Sequence, residues 1–462
     1  MFARKPSRPP PAPSSAATPA QSRPAAPARA RARAHMAFAD HQGQILEHPE
    51  LEMLGWDGEC WRPLADDELV PLPRGSDLFT LPGRRAAGFD RQADEVVVFD
   101  EPGTTAVACF IAPAYLRMLL PAYESLADAP ALPLFGYSAV GIRNGEFVTA
   151  TLRVDDDTRQ DPYRFDLDDI TKRVAARLAA HPQNRLIGHL EHCALTYHCR
   201  AAQNYFLDRF EAPMPAAPTC NALCVGCISF QPKAGDDIPT AAHDRIGFAP
   251  TPEEIAELAL GHIARVGADA VVSFGQGCEG EPLMQAPQLE AAVRLIRQRE
   301  PRGIVNLNSN ASRPDAVARL MDAGLDSLRI STNSARAAIY HAYYRPRGYT
   351  FDDVRRSSKI VRARGGYVML NYFVFPGVTD TAAELEALTS WIADDQIDMV
   401  QLRNLNIDPE MYLATVRDAG HSGEPMGLRT WLVELRRRFP LLRFGYFNPP
   451  RRVMAEPAPA VV

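Results

Sequence analysis

The stretch TPEEIAELALGHIARVGADAVVSF, residues 251–274, carries two periodicities in succession. Thr251 can cap a helix, Pro252 suits its first turn, and Glu254 can complete a capping box. Ile255, Leu258, Ala259 and Ile263 then recur at helical spacing. Beyond Gly267 the pattern becomes a short apolar run, Ala270-Val-Val-Ser-Phe274, as expected of a strand buried on both faces. The alternation repeats downstream. Strand-like runs lie at 304–308, 327–331, 367–373 and 399–402, with helical patterns at 288–297, 314–323 and 382–392. Strand and helix in turn imply an α/β fold with a parallel sheet and helices outside it. Five or six such units predict a closed or partly closed barrel of the TIM type, (β/α)6 in count. In such a fold the working residues sit at the carboxyl ends of the strands.

The repeat spans residues 206–447, which sets the domain organisation around it. Residues 39–205 read as a separate α+β domain. Glu95-Val-Val-Val-Phe-Asp100 and 146–153 look like strands among Pro and Gly, and 168–180 carries a helical pattern. Residues 1–38 are rich in Pro, Ala and Arg. They hold too little apolar surface to offset chain entropy, so a disordered tail is expected, with Met36 an alternative start. Residues 448–462 are expected to be a C-terminal tail.

The chain has 462 residues, 46% hydrophobic and 23% charged, which is ordinary for a globular protein. A net charge of −6 excludes a basic field over the whole molecule that would gather nucleic acid. No apolar run is long enough for a bilayer, and no secretory signal is recognisable, so a cytoplasmic location is expected. Six of the 8 cysteines fall between Cys193 and Cys278. Such clustering suits a metal site in a reducing compartment better than a disulfide framework.

The chemistry concentrates at Cys220-Asn-Ala-Leu-Cys224-Val-Gly-Cys227, just before the first full unit of the repeat. Closely spaced cysteines on one loop can wrap three irons of a cubane cluster and leave a fourth open. By spacing alone, a zinc site fits as well.

The triplet resembles the signature of the radical S-adenosylmethionine (SAM) superfamily, and the resemblance extends over residues 210–447. The strand ending at Phe274 runs into Gly275-Gln-Gly-Cys-Glu-Gly-Glu-Pro-Leu283. There Gly280-Glu281-Pro282 is similar to the family's Gly-Gly-Glu-Pro segment, whose backbone accepts the SAM amino group. Glu279 stands where the family has its first Gly. Asn308-Ser-Asn310 is similar to the family's Thr-Asn-Gly. Ser331-Thr-Asn333 ends the next strand, where the family often contacts the ribose or carboxylate of SAM. Pro376-Gly-Val-Thr-Asp380 also recurs in the family. One departure is Gly226, where the family usually has an aromatic residue, which leaves open what packs beside the adenine.

The resemblance implies a [4Fe–4S] cluster on Cys220, Cys224 and Cys227, with SAM on the fourth iron. It implies reductive cleavage of SAM to a 5′-deoxyadenosyl radical that abstracts hydrogen from a small-molecule or protein substrate. An electron donor such as flavodoxin or ferredoxin is implied as a partner. No residue is singled out as catalytic. Candidates to face the substrate are Asn371, Gln401, Arg403 and Asn404, all near strand ends, and Arg403 could hold a carboxylate or phosphate.

Three further features stay open at this level. His189, His192, Cys193, His198 and Cys199 fit an auxiliary metal site, or an amphipathic segment with buried thiols, and their spacing matches no metal motif. Cys278 is a reactive thiol, an extra ligand or a small buried residue. Arg436, Arg437, Arg438, Arg443, Arg451 and Arg452, interleaved with Phe444, Tyr446 and Phe447, fit an RNA contact or the solvated face of an outer helix. The alternatives to a radical SAM enzyme acting on a small molecule or protein are therefore a radical SAM enzyme that modifies RNA and a non-catalytic iron–sulfur or zinc protein. A cysteine-rich C-terminal extension, frequent in peptide-modifying members, is not found after Cys278.

Overall fold

Seven parallel strands, each hydrogen-bonded to the next in chain order, make the frame of the functional half. They are β1 (Glu211–Pro213), β2 (Val271–Phe274), β3 (Ile304–Ser309), β4 (Ser327–Thr332), β5 (Tyr367–Val374), β6 (Met399–Asn404) and β7 (Arg443–Gly445). The coordinates are a computed structural model that describes residues 33–232 and 239–456. Most of the expected N-terminal tail thus lies outside the described residues.

The strands are where the sequence placed them because both their faces are covered. All four residues of β2 and all six of β3 are buried. The helices are α1 (Pro252–Val266), α2 (Ala286–Arg299), α3 (Pro314–Ala323), α4 (Ala337–Tyr344), α5 (Phe351–Ala363), α6 (Ala382–Asp395), α7 (Pro409–Asp418) and α8 (Leu428–Arg438). The cap of α1 forms as its sequence requires. Thr251 Oγ1 accepts from Glu254 N at 3.2 Å, and Glu254 Oε2 accepts from Thr251 N at 2.8 Å. The sequence reading missed β1, which is three residues long and ends in Pro213, and also α4, α5 and α7.

The sheet curls. Asn448, just past β7, donates to Glu211 Oε1 on β1 at 2.8 Å and to Ser273 Oγ on β2 at 3.4 Å. Its Oδ1 accepts from Gln401 Nε2 on β6 at 3.0 Å. One buried amide thus brings the first and last strands of the sheet to a common point, and the strand ends converge on one mouth.

The preceding region is an antiparallel assembly whose largest sheet has twelve strands. Its first strand is His35–Ala39, so order begins inside the stretch expected to be tail. The cause is tertiary: Met36, Ala37 and Ala39 are buried, and the strand pairs with Ile45–Trp56. The described residues from Arg33 onward form one compact unit. The helices Ile170–Ala180, Arg185–Leu195 and Arg200–Phe206 were read with the α+β region, yet their buried faces go to the parallel sheet. Leu186, Ile187, Leu190, Tyr205 and Phe206 belong to the same core as β2 and α1.

Two buried ties fasten the antiparallel region to the sheet. Asn404 Nδ2, at the end of β6, donates to Tyr115 O at 2.9 Å, and its Oδ1 accepts from Arg117 N at 2.8 Å. Arg117, 1% exposed, donates to Leu405 O at 2.9 Å and Tyr137 O at 3.1 Å. The second tie is Asp408, which accepts from Leu132 N at 2.7 Å and pairs with buried Arg84 at 3.5 Å. At the other end of the chain, Arg451–Ala455 forms a short helix within the expected tail. No helix among the described residues is long and apolar enough to cross a membrane.

Candidate functional site

The chain leaving β1 continues extended, with Met214 N donating to Ser273 O at 2.7 Å. It is then pinned against the loop that follows β2. Gly280 N donates to Ala217 O at 2.7 Å, and Glu281 N to Thr219 O at 2.9 Å. The contact demands glycine, because a Cβ at position 280 would stand 2.1 Å from Thr219 O. Glu279 completes the clamp. One carboxylate oxygen accepts from Ala216 N (2.7 Å) and Ala217 N (3.0 Å), the other from Gly275 N (2.6 Å) and Gln276 N (2.9 Å). The glutamate that departs from the family's glycine therefore ties both loops together.

Residues 220–227 are held from the other side by the chain at the end of α4. Val225 N donates to Tyr343 O at 2.9 Å, Leu223 N to Tyr344 O at 3.0 Å, and Arg347 N to Asn221 O at 2.8 Å. Asn310 Nδ2 donates to Asn221 Oδ1 at 2.9 Å, which ties the loop to the end of β3. With Val225 buried as an anchor, Cys220, Cys224 and Cys227 all line one cavity of ≈ 390 Å³.

The cavity is lined as well by Gly280, Glu281, Pro282, Asn308, Asn310, Ser331 and Asn371. The strand-end signals thus converge as predicted from the carboxyl-end rule. The carboxylate of Glu281 is spent on structure: it accepts from Ser309 Oγ (2.6 Å), Asn310 N (2.9 Å) and Leu283 N (3.0 Å). Two expected contacts fall elsewhere. Asn333 is fully buried away from the cavity, its Nδ2 donating to Tyr412 Oη at 3.0 Å. Gln401 is also fully buried and does not line the cavity; its Oε1 accepts from Arg329 Nη1 at 3.1 Å. Asn333 lies one residue beyond the end of β4, and Gln401, in register with Asn371, is taken up by Arg329 and Asn448; a strand-end position alone reveals neither.

Of the other candidates, Arg403 and Asn404 do line the cavity. Asn404 is committed to the antiparallel region, as described above. Arg403 donates to Tyr446 O at 2.8 Å, and its guanidinium lies over the Tyr446 ring at 3.9 Å. The sequence reading missed Arg245, Arg329, Tyr343 and Tyr344, which also line the cavity. Arg245 comes from irregular chain with no motif around it. It reaches Cys227 Sγ at 3.7 Å and Ser229 Oγ at 3.3 Å. Arg329 points inward from the middle of β4, and its Nε is buried with no partner among the described residues. Its guanidinium is pushed down to about 9 by burial and by nearby Arg403.

The thiols sit in a demanding place for charge. Burial, with Glu281 nearby, pushes Cys220 up to about 11. Burial and the other two cysteines push Cys224 well above the ordinary thiol range. Crowded together and half-buried, Cys220 and Cys224 are poor thiolates on their own and good ligands for a cationic group that neutralises them.

Gly226 has a local explanation. A Cβ there would stand 2.7 Å from Tyr343 Oη, so the space beside position 226 is filled by Tyr343 from α4.

A curled parallel sheet with a three-cysteine loop and a Gly-Glu-Pro loop at its mouth defines a class of cofactor-dependent α/β protein. Residues 214–389 match the family model of the radical SAM superfamily. Over this segment, well under half of its length, the chain is similar to that superfamily. It is 25% identical over 226 residues to the FeMo cofactor biosynthesis protein NifB of Klebsiella pneumoniae. That match covers 46% of this chain and 43% of the relative, less than half the relative's length. Among solved structures it is similar to methylornithine synthase (PylB), with 14% identity, TM-score 0.35, and 61% of this chain and 76% of that one covered. SuiB of Streptococcus suis bound to S-adenosylmethionine gives 13% identity, TM-score 0.36, and coverage of 67% and 70%. These superpositions are loose and decide nothing further about this chain.

Proposed function

We propose that the chain is a radical SAM enzyme whose [4Fe–4S] cluster is held by Cys220, Cys224 and Cys227. The observation that carries this reading is that all three cysteines and Gly280-Glu281-Pro282 line a single cavity at the strand ends. When bound, the cluster and SAM supply an electron and a carbon radical capable of abstracting hydrogen. The chain's own residues bind, orient and enclose. Glu279 and Gly280 fix the loop that offers backbone groups to SAM, while Asn308, Asn310 and Ser331 offer polar side chains. Tyr343 serves as the ring beside the adenine. The antiparallel region is tied to the end of β6 through Asn404.

The substrate is a small molecule or a protein residue that presents an anionic group to Arg329 and Arg403. The unpartnered Arg329 Nε favours this. An RNA substrate is disfavoured, because four of the six C-terminal arginines have acidic partners. Arg437 pairs with Glu434 at 2.7 Å, Arg438 with Glu386 at 2.7 Å, Arg451 with Asp326 at 2.7 Å, and Arg452 with Asp269 at 3.1 Å. A flavodoxin- or ferredoxin-type protein is the proposed electron donor.

The test is anaerobic reconstitution of the full chain with iron and sulfide, followed by SAM and dithionite. 5′-Deoxyadenosine is expected by mass in the native protein and absent in Cys224→Ala. A cluster that assembles without binding or cleaving SAM would make the protein an iron–sulfur carrier.

A further inference from the structure

A second cluster of metal-binding side chains lies outside the cavity. Asn184 caps the helix Arg185–Leu195, its Oδ1 accepting from Leu186 N at 3.1 Å and Ile187 N at 3.2 Å. On that helix His189 and Cys193 are one turn apart and share a face. Their Nε2 and Sγ atoms are 3.6 Å apart. The face meets Cys278, and the donor atoms of His189, Cys193 and Cys278 all lie within 4.8 Å of one another. Cys193 and Cys278 are buried. Neither belongs to the cavity lining, although Gly277 and Glu279 on either side of Cys278 do. The loop after β2 thus shows one face to the cavity and the Cys278 thiol to the helix.

We propose that His189, Cys193 and Cys278 hold a single zinc-class ion. A tetrahedral ion with Zn–S near 2.3 Å and Zn–N near 2.0–2.1 Å places its ligand atoms roughly 3.5–3.8 Å apart, so only a small contraction of the trio is needed. Two thiolates neutralise a divalent cation, and neutral imidazole completes the shell without adding charge. That balance suits a buried site. The trio supplies three ligands, which leaves the fourth position to a water or another side chain. His192 and His198 take no part; His192 Nδ1 is engaged with Thr196 Oγ1 at 3.2 Å. The ion is a staple. It joins the helix Arg185–Leu195 to the loop whose other side lines the cavity, and Ile246 N, bonded to Cys278 O at 2.8 Å, joins the same knot. On binding, each thiol releases its proton to solvent.

The test separates this site from the proposed cluster. The full chain carrying Cys220→Ala, Cys224→Ala and Cys227→Ala is stripped with chelator under reducing, anaerobic conditions and titrated with Co(II), then Zn(II). One Co(II) per chain is expected, with thiolate-to-cobalt charge-transfer absorption that Zn(II) displaces. Adding Cys278→Ser should abolish the band, and adding His189→Ala should weaken binding at least about tenfold. If Cys278→Ser does not fold, X-ray absorption on zinc in the otherwise unaltered triple variant should show two sulfur neighbours. Absence of the band in a folded protein would overturn the proposal. So would a Cys193–Cys278 disulfide in the intact mass, or iron with acid-labile sulfide in the triple variant.

Discussion

At the residue scale, the site turns on which small or polar residue allows two pieces of chain to touch. Gly280 is required by Thr219, and Gly226 by Tyr343. The second case gives a reciprocal prediction. Gly226→Phe restores the aromatic residue usual in the family but collides with the Tyr343 ring. It should weaken SAM binding by tenfold or more, about 1.4 kcal/mol. Tyr343→Ala in the same chain should recover most of that loss. Equilibrium binding of SAM to the single and double variants measures it, and additive losses would show that Tyr343 does not fill the aromatic place. The cysteine triplet and the Gly280-Glu281-Pro282 loop were legible in sequence because their spacing is local. Arg245, Arg329 and Tyr343 were not, since each reaches the cavity from a different part of the fold.

At the element scale, α1 shows how local chemistry and tertiary contact overlap. Thr251 and Glu254 close its first turn, yet Glu254 also binds Arg185 Nη2 at 2.7 Å and Nε at 2.8 Å. The hydrogen bonds from Arg185 are the main reason the Glu254 carboxyl is held down at about 2. Thr251→Ala should therefore cost only about 1 kcal/mol, the usual worth of a cap. Glu254→Ala should cost more, since it also releases Arg185 from the helix that carries His189 and Cys193. Denaturant midpoints with unchanged slope provide the comparison. Elements with a strong period, such as α1, α2, α3 and α6, could be read from sequence. The helix α4 could not: it buries Ile339, Tyr340, Tyr343 and Tyr344, and aromatic rings on several sides blur the apolar stripe.

At the scale of the whole molecule, the antiparallel region and the curled sheet are joined through a few buried polar groups. Arg117 offers the clearest test, because it satisfies two carbonyls from opposite sides of the junction and lies over the Phe375 ring at 5.2 Å. Burial pushes its guanidinium down to about 9. Arg117→Ala leaves a hole and two unpaired carbonyls, a cost of about 2–4 kcal/mol. Calorimetry should show one transition in the native chain and two in the variant, as the halves lose their coupling. A single transition in the variant would mean that the other tie, at Asp408, suffices.

The sequence by itself determined the strand–helix alternation, the caps, the cysteine loop and the family it resembles. Each of these is read from local spacing, which translates directly into geometry. The tertiary structure decided the rest. It buried Asn333 and Gln401 in contacts of their own and gave Asn404 to the neighbouring region. It drew the helices of residues 170–206 into the core of the sheet and brought Cys278 to His189 and Cys193. The physical reason is the same in each case: which way a side chain points at a strand end, and what meets it there, depends on sheet curl and on partners up to hundreds of residues away, and no local period carries that information.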